Sequence, residues 1–119
     1  MANRNYRNLI VWQKSMDVVV QTYQLTAKFP NDEKFGIISQ MRRCAVSIPS
    51  NIAEGSRRES EKEFRRFILI SFGSGAELET QLEISRKLNY VSDIDLKNVE
   101  MLLEEVMKML NKLQSTLKN

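Results

Sequence analysis

From Leu96 to Leu117 the apolar residues stand at Leu96, Val99, Leu103, Val106, Leu110, Leu113 and Leu117, in alternating steps of three and four. Spacing of this kind commits the segment to a helix with a single apolar stripe, and that stripe must be covered by other elements. Ser92 precedes it, with Asp95 three residues on, which supplies an N-cap although Asp takes the place a capping box gives to Glu or Gln. Upstream, Leu9, Trp12, Met16, Val19, Tyr23 and Thr26 keep the same rhythm, widened by Val20 and Ala27. This predicts a helix from Leu9 to about Phe29 with that stripe toward the core, ended by Pro30 and the polar run PNDEKFG.

The second segment tests the same rule against a proline. Ile38, Met41, Ala45, Ile48 and Ile52 hold the three-four rhythm across Pro49, so the buried face keeps its direction and one kinked helix is expected. Proline in a helix interior costs about 3 kcal/mol through its missing N–H and its clash with the carbonyl four residues back. Ser47, Ser50 and Asn51 offer local donors for carbonyls that a kink frees, and Gly55 suits a left-handed C-terminal position. Ser56 with Glu59 and Ser60 with Glu63 both match the capping box of a third helix running to about Leu88, with Phe64, Phe67, Ile68, Leu78, Leu82 and Leu88 as its apolar contacts. Gly73 and Gly75 lie inside it, where each costs about 1 kcal/mol against alanine, so they are expected to let a neighbouring helix or subunit pack closely. A phosphate-loop reading lacks the preceding strand and the Gly-Lys-Ser/Thr ending.

Four long segments with short connections predict an all-α, antiparallel up-down-up-down four-helix bundle, a single domain over residues 1–119. Four Gly and two Pro leave little room for a many-turned β architecture. The chain has no apolar run near the roughly 20 residues of a membrane span and no apolar leader in MANRNYRNLIVW, so a cytoplasmic protein without a membrane partner is expected.

Function is constrained first by what is missing. Histidine is absent and Cys44 is the sole cysteine, which removes the ordinary routes to a zinc site, a Ser-His or Cys-His nucleophile and a disulfide framework. Glu77, Glu79 and Glu83 cluster, but no Glu-x-x-His accompanies them to build a di-iron bundle site, and Cys44 reads as a small packing residue. No metal, no cofactor and no enzyme activity are expected. The methionines fall on or beside apolar stripes, where adaptable packing accounts for them.

Charge is unevenly placed. Residues 1–66 carry 12 Lys/Arg and 7 Asp/Glu, whereas residues 67–119 carry 6 and 8. Arg58, Lys62, Arg65 and Arg66 recur at three- and four-residue spacings, with Arg57 just before them. Glu59, Glu61 and Glu63 lie among them, so the stripe reads either as a solvated face laced with weak ion pairs or as a surface for phosphates. Guanidinium groups match phosphate bidentately where lysine would serve solubility as well, and Arg42 and Arg43 would extend the patch from the preceding helix. Arg43, Ser47, Ser50 and Glu54 form a second polar stripe, either exposed or engaged with another subunit. Trp12 lies on the first apolar stripe and reads as core or interface; Arg4, Tyr6 and Arg7 precede it in a segment read as mobile.

Three stretches carry a resemblance: VWQKSM (Val11 to Met16), FPNDEKFGIISQMRRCAVSIPSNIAEGS (Phe29 to Ser56) and GSGAELETQLEIS (Gly73 to Ser85). They resemble the bacterial four-helix-bundle family named for intervening sequences of 23S ribosomal RNA genes, which also travels under an S23 ribosomal-protein label. Cys44 departs from the alanine expected at its place, a packing-neutral change. The family is similar to the accessory variability proteins of diversity-generating retroelements, which form a pentameric barrel and bind nucleic acid and a reverse transcriptase. The resemblance therefore implies a homopentamer with a basic nucleic-acid surface. The expected function is a non-catalytic oligomeric module binding RNA or DNA by phosphate contacts through Arg42, Arg43, Arg57, Arg58, Lys62, Arg65 and Arg66, with Trp12, Pro49, Gly73 and Gly75 serving packing or assembly. The alternative is a protein-interaction scaffold whose arginines serve solubility and subunit pairing.

Overall fold

The computed structural model describes residues 5–118, and among these there are four α-helices, two 3-10 turns and no strand. The helices are α1 (Ile10–Thr26), α2 (Ile37–Ser56), α3 (Glu61–Lys87) and α4 (Asp93–Thr116). Each contacts its sequence neighbour and α1 also meets α4, while the backbones of the diagonal pairs stay farther apart, so the four close into a square antiparallel bundle. The 27 residues of α3 span about 40 Å at 1.5 Å per residue, most of the 45 Å long axis of the molecule.

Helix ends follow local chemistry. Ser60 caps α3 by accepting from the Glu63 amide at 3.1 Å, and Ser92 caps α4 by accepting from the Asp95 amide at 3.2 Å. Ser56, the rival cap, instead donates to the Ala53 carbonyl inside α2. Gly55 is likewise within α2, not at a left-handed terminus: no glycine of the described residues has positive φ. The left-handed residue is Asn89, with φ of 58°, where the Asn89 amide donates to Arg86 and the Tyr90 amide to Ser85. That paired return is a Schellman motif, which ends α3 with asparagine in glycine's usual place.

The expected stripes of α2 and α4 form the core. Ile38, Met41, Ala45, Ile48 and Ile52 are buried along an α2 that continues unbroken through Pro49, itself buried. Leu96, Val99, Leu103, Val106 and Leu110 face them from α4, and Leu113 and Leu117 pack at the core's edge. Helix α1 is turned relative to expectation. Its buried positions are Val11, Ser15, Val18, Thr22, Leu25 and Thr26, whereas Met16, Val20 and Tyr23 are exposed and Leu9, Trp12 and Val19 only flank the core. Two three-four stripes coexist on α1, and the one with smaller side chains faces inward, where helices pack closely. Ser15 can occupy it because its hydroxyl donates to the Trp12 carbonyl at 2.8 Å. Leu88 also departs from expectation: it lies at the C-cap of α3, beyond the last turn that faces the core, and is half exposed.

The seam between α2 and α3 is lined by small residues. Ser71 donates to the Ile48 carbonyl at 2.9 Å, and the Ser47 and Ser74 hydroxyls meet at 2.8 Å. On α2, Ser50 donates to the Val46 carbonyl and Asn51 to the carbonyl and hydroxyl of Ser47, so the turn around Pro49 carries side-chain hydrogen bonds on both sides. The glycines differ sharply in their surroundings. A Cβ on Gly55 would lie 2.6 Å from the Phe67 Cβ and 3.0 Å from a Phe64 ring carbon, and one on Gly75 would lie 2.3 Å from the Met107 sulfur. Gly73 faces open space among the described residues, so the close approaches between helices inside the bundle fall at Gly75 and Gly55.

Alanine scanning of these glycines should separate the three environments. Gly73→Ala should raise stability by about 0.5–1 kcal/mol through helix propensity, and Gly55→Ala should lower it by about 1–3 kcal/mol through overpacking against the phenylalanines. Gly75→Ala should fall between them because the Met107 side chain can swing away. Urea unfolding midpoints of the three variants would show this order.

Candidate functional site

Where α2 gives way to α3, the chain turns through Arg57, Arg58, Glu59 and Ser60 and sets a group of arginines at one end of the bundle. Their guanidinium groups are placed by aromatic rings. Phe67, buried beside Gly55, has Arg58 and Arg66 over its ring, each with Cζ 4.9 Å from the centroid. Tyr6, in the 3-10 turn Tyr6–Asn8, has Arg57 at 5.4 Å and Arg7 at 5.5 Å, and it packs edge-on against Trp12 at 5.2 Å. Rings of this kind hold cations through their quadrupole while leaving the outward N–H groups available. The segment read as mobile includes the 3-10 turn Tyr6–Asn8; Arg4 lies outside the described residues.

The stripe expected along one side does not act as one surface. Arg65 turns toward α4, donating from Nε to the Gln114 carbonyl at 3.2 Å and from Nη2 to its side-chain oxygen at 2.9 Å. Arg58 pairs with Glu54 at 2.8 Å and Arg66 with Glu63 at 3.4 Å, both exposed ion pairs of the weak, screened kind. Arg57 and Lys62 are exposed and make no ion pair among the described residues. The carboxylates in the sequence around the stripe therefore engage two of its members and leave others open.

Arg42 and Arg43 do not extend this end. Arg57 follows Arg43 by fourteen positions, about 21 Å along the helix. Arg42 is an α1–α2 clamp: Nε donates to the Thr26 hydroxyl at 2.9 Å, Nη2 reaches the Tyr23 carbonyl at 3.4 Å, and Cζ lies 4.4 Å from the Tyr23 ring centroid. Thr26 can accept because its own hydrogen goes to the Thr22 carbonyl at 2.8 Å. Arg43 stays exposed and lines an open groove of about 450 Å³ with Lys34, Phe35 and Tyr23. Residue spacing carries no sign of this groove, because Lys34 and Phe35 lie in the turn before α2 and reach α1 only through the fold. A larger groove between α1 and α4, about 540 Å³, is spanned by the Lys28–Asp95 ion pair at 3.0 Å and brings together no reactive set.

The remaining chemistry-bearing residues serve the scaffold. Cys44 is buried, its thiol donating toward Glu77 at 3.7 Å and accepting from Gln81 at 3.6 Å; burial first, then the Glu77 charge, pushes its pKa up. Arg86 gathers Glu83, Asp93 and Glu100, tying the end of α3 to α4. Glu79 is pushed up by burial and by Glu104 across the α3–α4 seam. Among the described residues no group of His, Cys, Asp or Glu is arranged to hold a metal ion, and no helix is long and apolar enough to cross a membrane.

The family model described as 23S rRNA-intervening sequence protein matches residues 7–112. Solved structures similar to this chain include a protein of unknown function from the S23 ribosomal protein family of Bacteroides thetaiotaomicron, with a TM-score of 0.80 at 23% identity over 89% of this chain and 99% of that one. The likeness shows a shared four-helix fold. No curated protein matches the chain at a significant level.

Two outcomes follow from the side-chain roles. Arg65→Gln should cost about 1–2 kcal/mol of stability through its bonds to Gln114, while Arg57→Gln, at an exposed site, should change it by less than about 0.5 kcal/mol; denaturant titration reads both. Alkylation of native Cys44 at neutral pH should run more slowly than in denaturant, since burial disfavours its thiolate. Equal rates in a mass-spectrometric time course would contradict that placement.

Proposed function

The chain belongs to the 23S rRNA-intervening sequence protein family, and on that footing we propose that it is a non-catalytic, self-associating module that binds nucleic acid through phosphate contacts. The observation that carries this reading is the arginine group at the α2–α3 turn, with Arg58 and Arg66 flanking the Phe67 ring and Arg57 against Tyr6. Guanidinium groups positioned before binding lose less side-chain freedom when they meet a phosphate, and their forked donors match its oxygens. Exposed pairs such as Arg58–Glu54 are weak enough for a phosphate to displace the carboxylate. Nothing in this arrangement reads base edges, so the contact fixes position and affinity without sequence preference.

Arg57, Arg58, Lys62 and Arg66 form the proposed phosphate surface. Arg43 contributes from the groove, whereas Arg42 and Arg65 hold the bundle together and support that surface indirectly. Self-association rests on the resemblance to pentameric accessory variability proteins and on the apolar side chains that α1 leaves uncovered, Met16 and Val20 among them. The competing reading, a protein-interaction scaffold without nucleic acid, draws on the same uncovered face and on the carboxylates that already engage Arg58 and Arg66.

Salt dependence separates the two. Fluorescence anisotropy with duplex DNA and structured RNA should give a log–log salt slope of about −3.6 for four phosphate contacts on duplex DNA. Replacing Arg57, Arg58, Lys62 and Arg66 together with Gln should flatten that slope while leaving the unfolding midpoint nearly unchanged. Absence of binding at low salt would sink the nucleic-acid reading. Light scattering should return a mass of five protomers of 13.9 kDa.

A further inference from the structure

The groove between the start of α2 and the end of α1 lies about 21 Å along α2 from the phosphate surface proposed above. It has a different composition. Phe35 is 91% exposed at its rim, Tyr23 is 42% exposed on its α1 wall, and Lys34, Arg42 and Arg43 line it with the two rings. Among the described residues no carboxylate lines it. Lys34 Nζ lies 5.7 Å from the Phe35 centroid, and the guanidinium of Arg42, anchored on Thr26, lies 4.4 Å from the Tyr23 centroid and holds that ring in place. Glu33, the nearest acid in sequence, accepts from the Tyr90 hydroxyl and does not line the groove.

We infer that this groove takes an unpaired stretch of nucleic acid, with Phe35 and Tyr23 stacking on bases while Lys34 and Arg43 meet the phosphates. The inference rests on the nucleic-acid reading and adds the class of strand. Cations unopposed by acids call for an anionic occupant, which disfavours an ordinary protein segment. Exposed aromatic faces interleaved with those cations match a strand whose bases are free to stack, and base stacking on an aromatic side chain tolerates any sequence. A duplex keeps its bases stacked on one another and would present only phosphates here, leaving both rings uncovered. Arg42 acts as a positioning residue, because its donors are already spent on Thr26 and the Tyr23 carbonyl.

The test compares a fluorescein-labelled deoxythymidine oligomer of about 15 nucleotides with an abasic strand of equal length and charge, and with a duplex. The base-bearing strand should bind about tenfold more tightly than the abasic one. Phe35→Ala should remove that preference and leave abasic and duplex affinities as they were. Phe35→Trp should show emission quenched by the base-bearing strand and unchanged by the abasic one. Equal affinity for the two strands, or a preference that survives Phe35→Ala, would overturn the groove assignment while duplex binding kept the phosphate reading intact. Failure of all three nucleic acids to bind would remove both. A change of assembly mass in Phe35→Ala, with an unaltered circular-dichroism spectrum, would assign the groove to contact between copies and overturn it as well.

Discussion

Close approach of α2 and α3 is the constraint on which the rest of this molecule depends. It is made possible by serine and glycine where larger side chains would hold the helices apart: Ser71 reaches the Ile48 carbonyl, Ser47 meets Ser74, and Gly55 admits Phe64 and Phe67. The carbonyl that Ser71 finds belongs to the residue just before Pro49, so the proline turn and the helix seam are joined by one hydrogen bond. A proline there costs about 3 kcal/mol in an ordinary helix. Neighbouring hydroxyl and amide donors, each contributing about 1 kcal/mol, together with burial of the proline ring, offset much of that cost.

Packing also decides what each arginine can do. The same side chain serves as a clamp at Arg42, a brace at Arg65, an ion-pair hub at Arg86 and a solvent-facing cation at Arg57. The difference is set by what lies within reach: a threonine hydroxyl already donating elsewhere, a glutamine at the end of α4, three carboxylates at the α3–α4 turn, or a tyrosine ring from the chain's first turn. Phe67 illustrates the coupling between core and surface. Its Cβ lies against Gly55 while its ring carries Arg58 and Arg66, so core geometry at the α2–α3 turn propagates directly into the arrangement of surface charge.

Helix count, antiparallel order, the buried faces of α2 and α4, the cap at Ser92 and the pair of cap candidates Ser56 and Ser60 were legible because each depends on residues within a few positions of one another, where three-four spacing and capping chemistry act locally. Family resemblance was legible for a related reason, since it resides in contiguous stretches such as the one from Phe29 to Ser56. The inward face of α1 was not legible, because two stripes of similar spacing compete and only the volume available beside α2 and α4 selects the one bearing Ser15 and Thr22. Gly73 and Gly75 are indistinguishable in sequence, yet one faces open space and the other the Met107 sulfur.

The candidate sites divide along the same line. By itself the sequence determined that the chain is helical, that it lacks the histidine and cysteine sets of ordinary catalysis, and that its positive charge lies toward the first half, since these depend on residue identity and local spacing alone. Only the tertiary structure decided that Arg57, Arg58 and Arg66 gather with Tyr6 and Phe67, that Arg42 and Arg65 are committed to the bundle, and that Lys34, Phe35 and Arg43 share a groove with Tyr23. Those groupings join residues from different helices, and a side chain's partners across a bundle are fixed by how the helices rotate and approach one another, a quantity that short-range spacing does not carry.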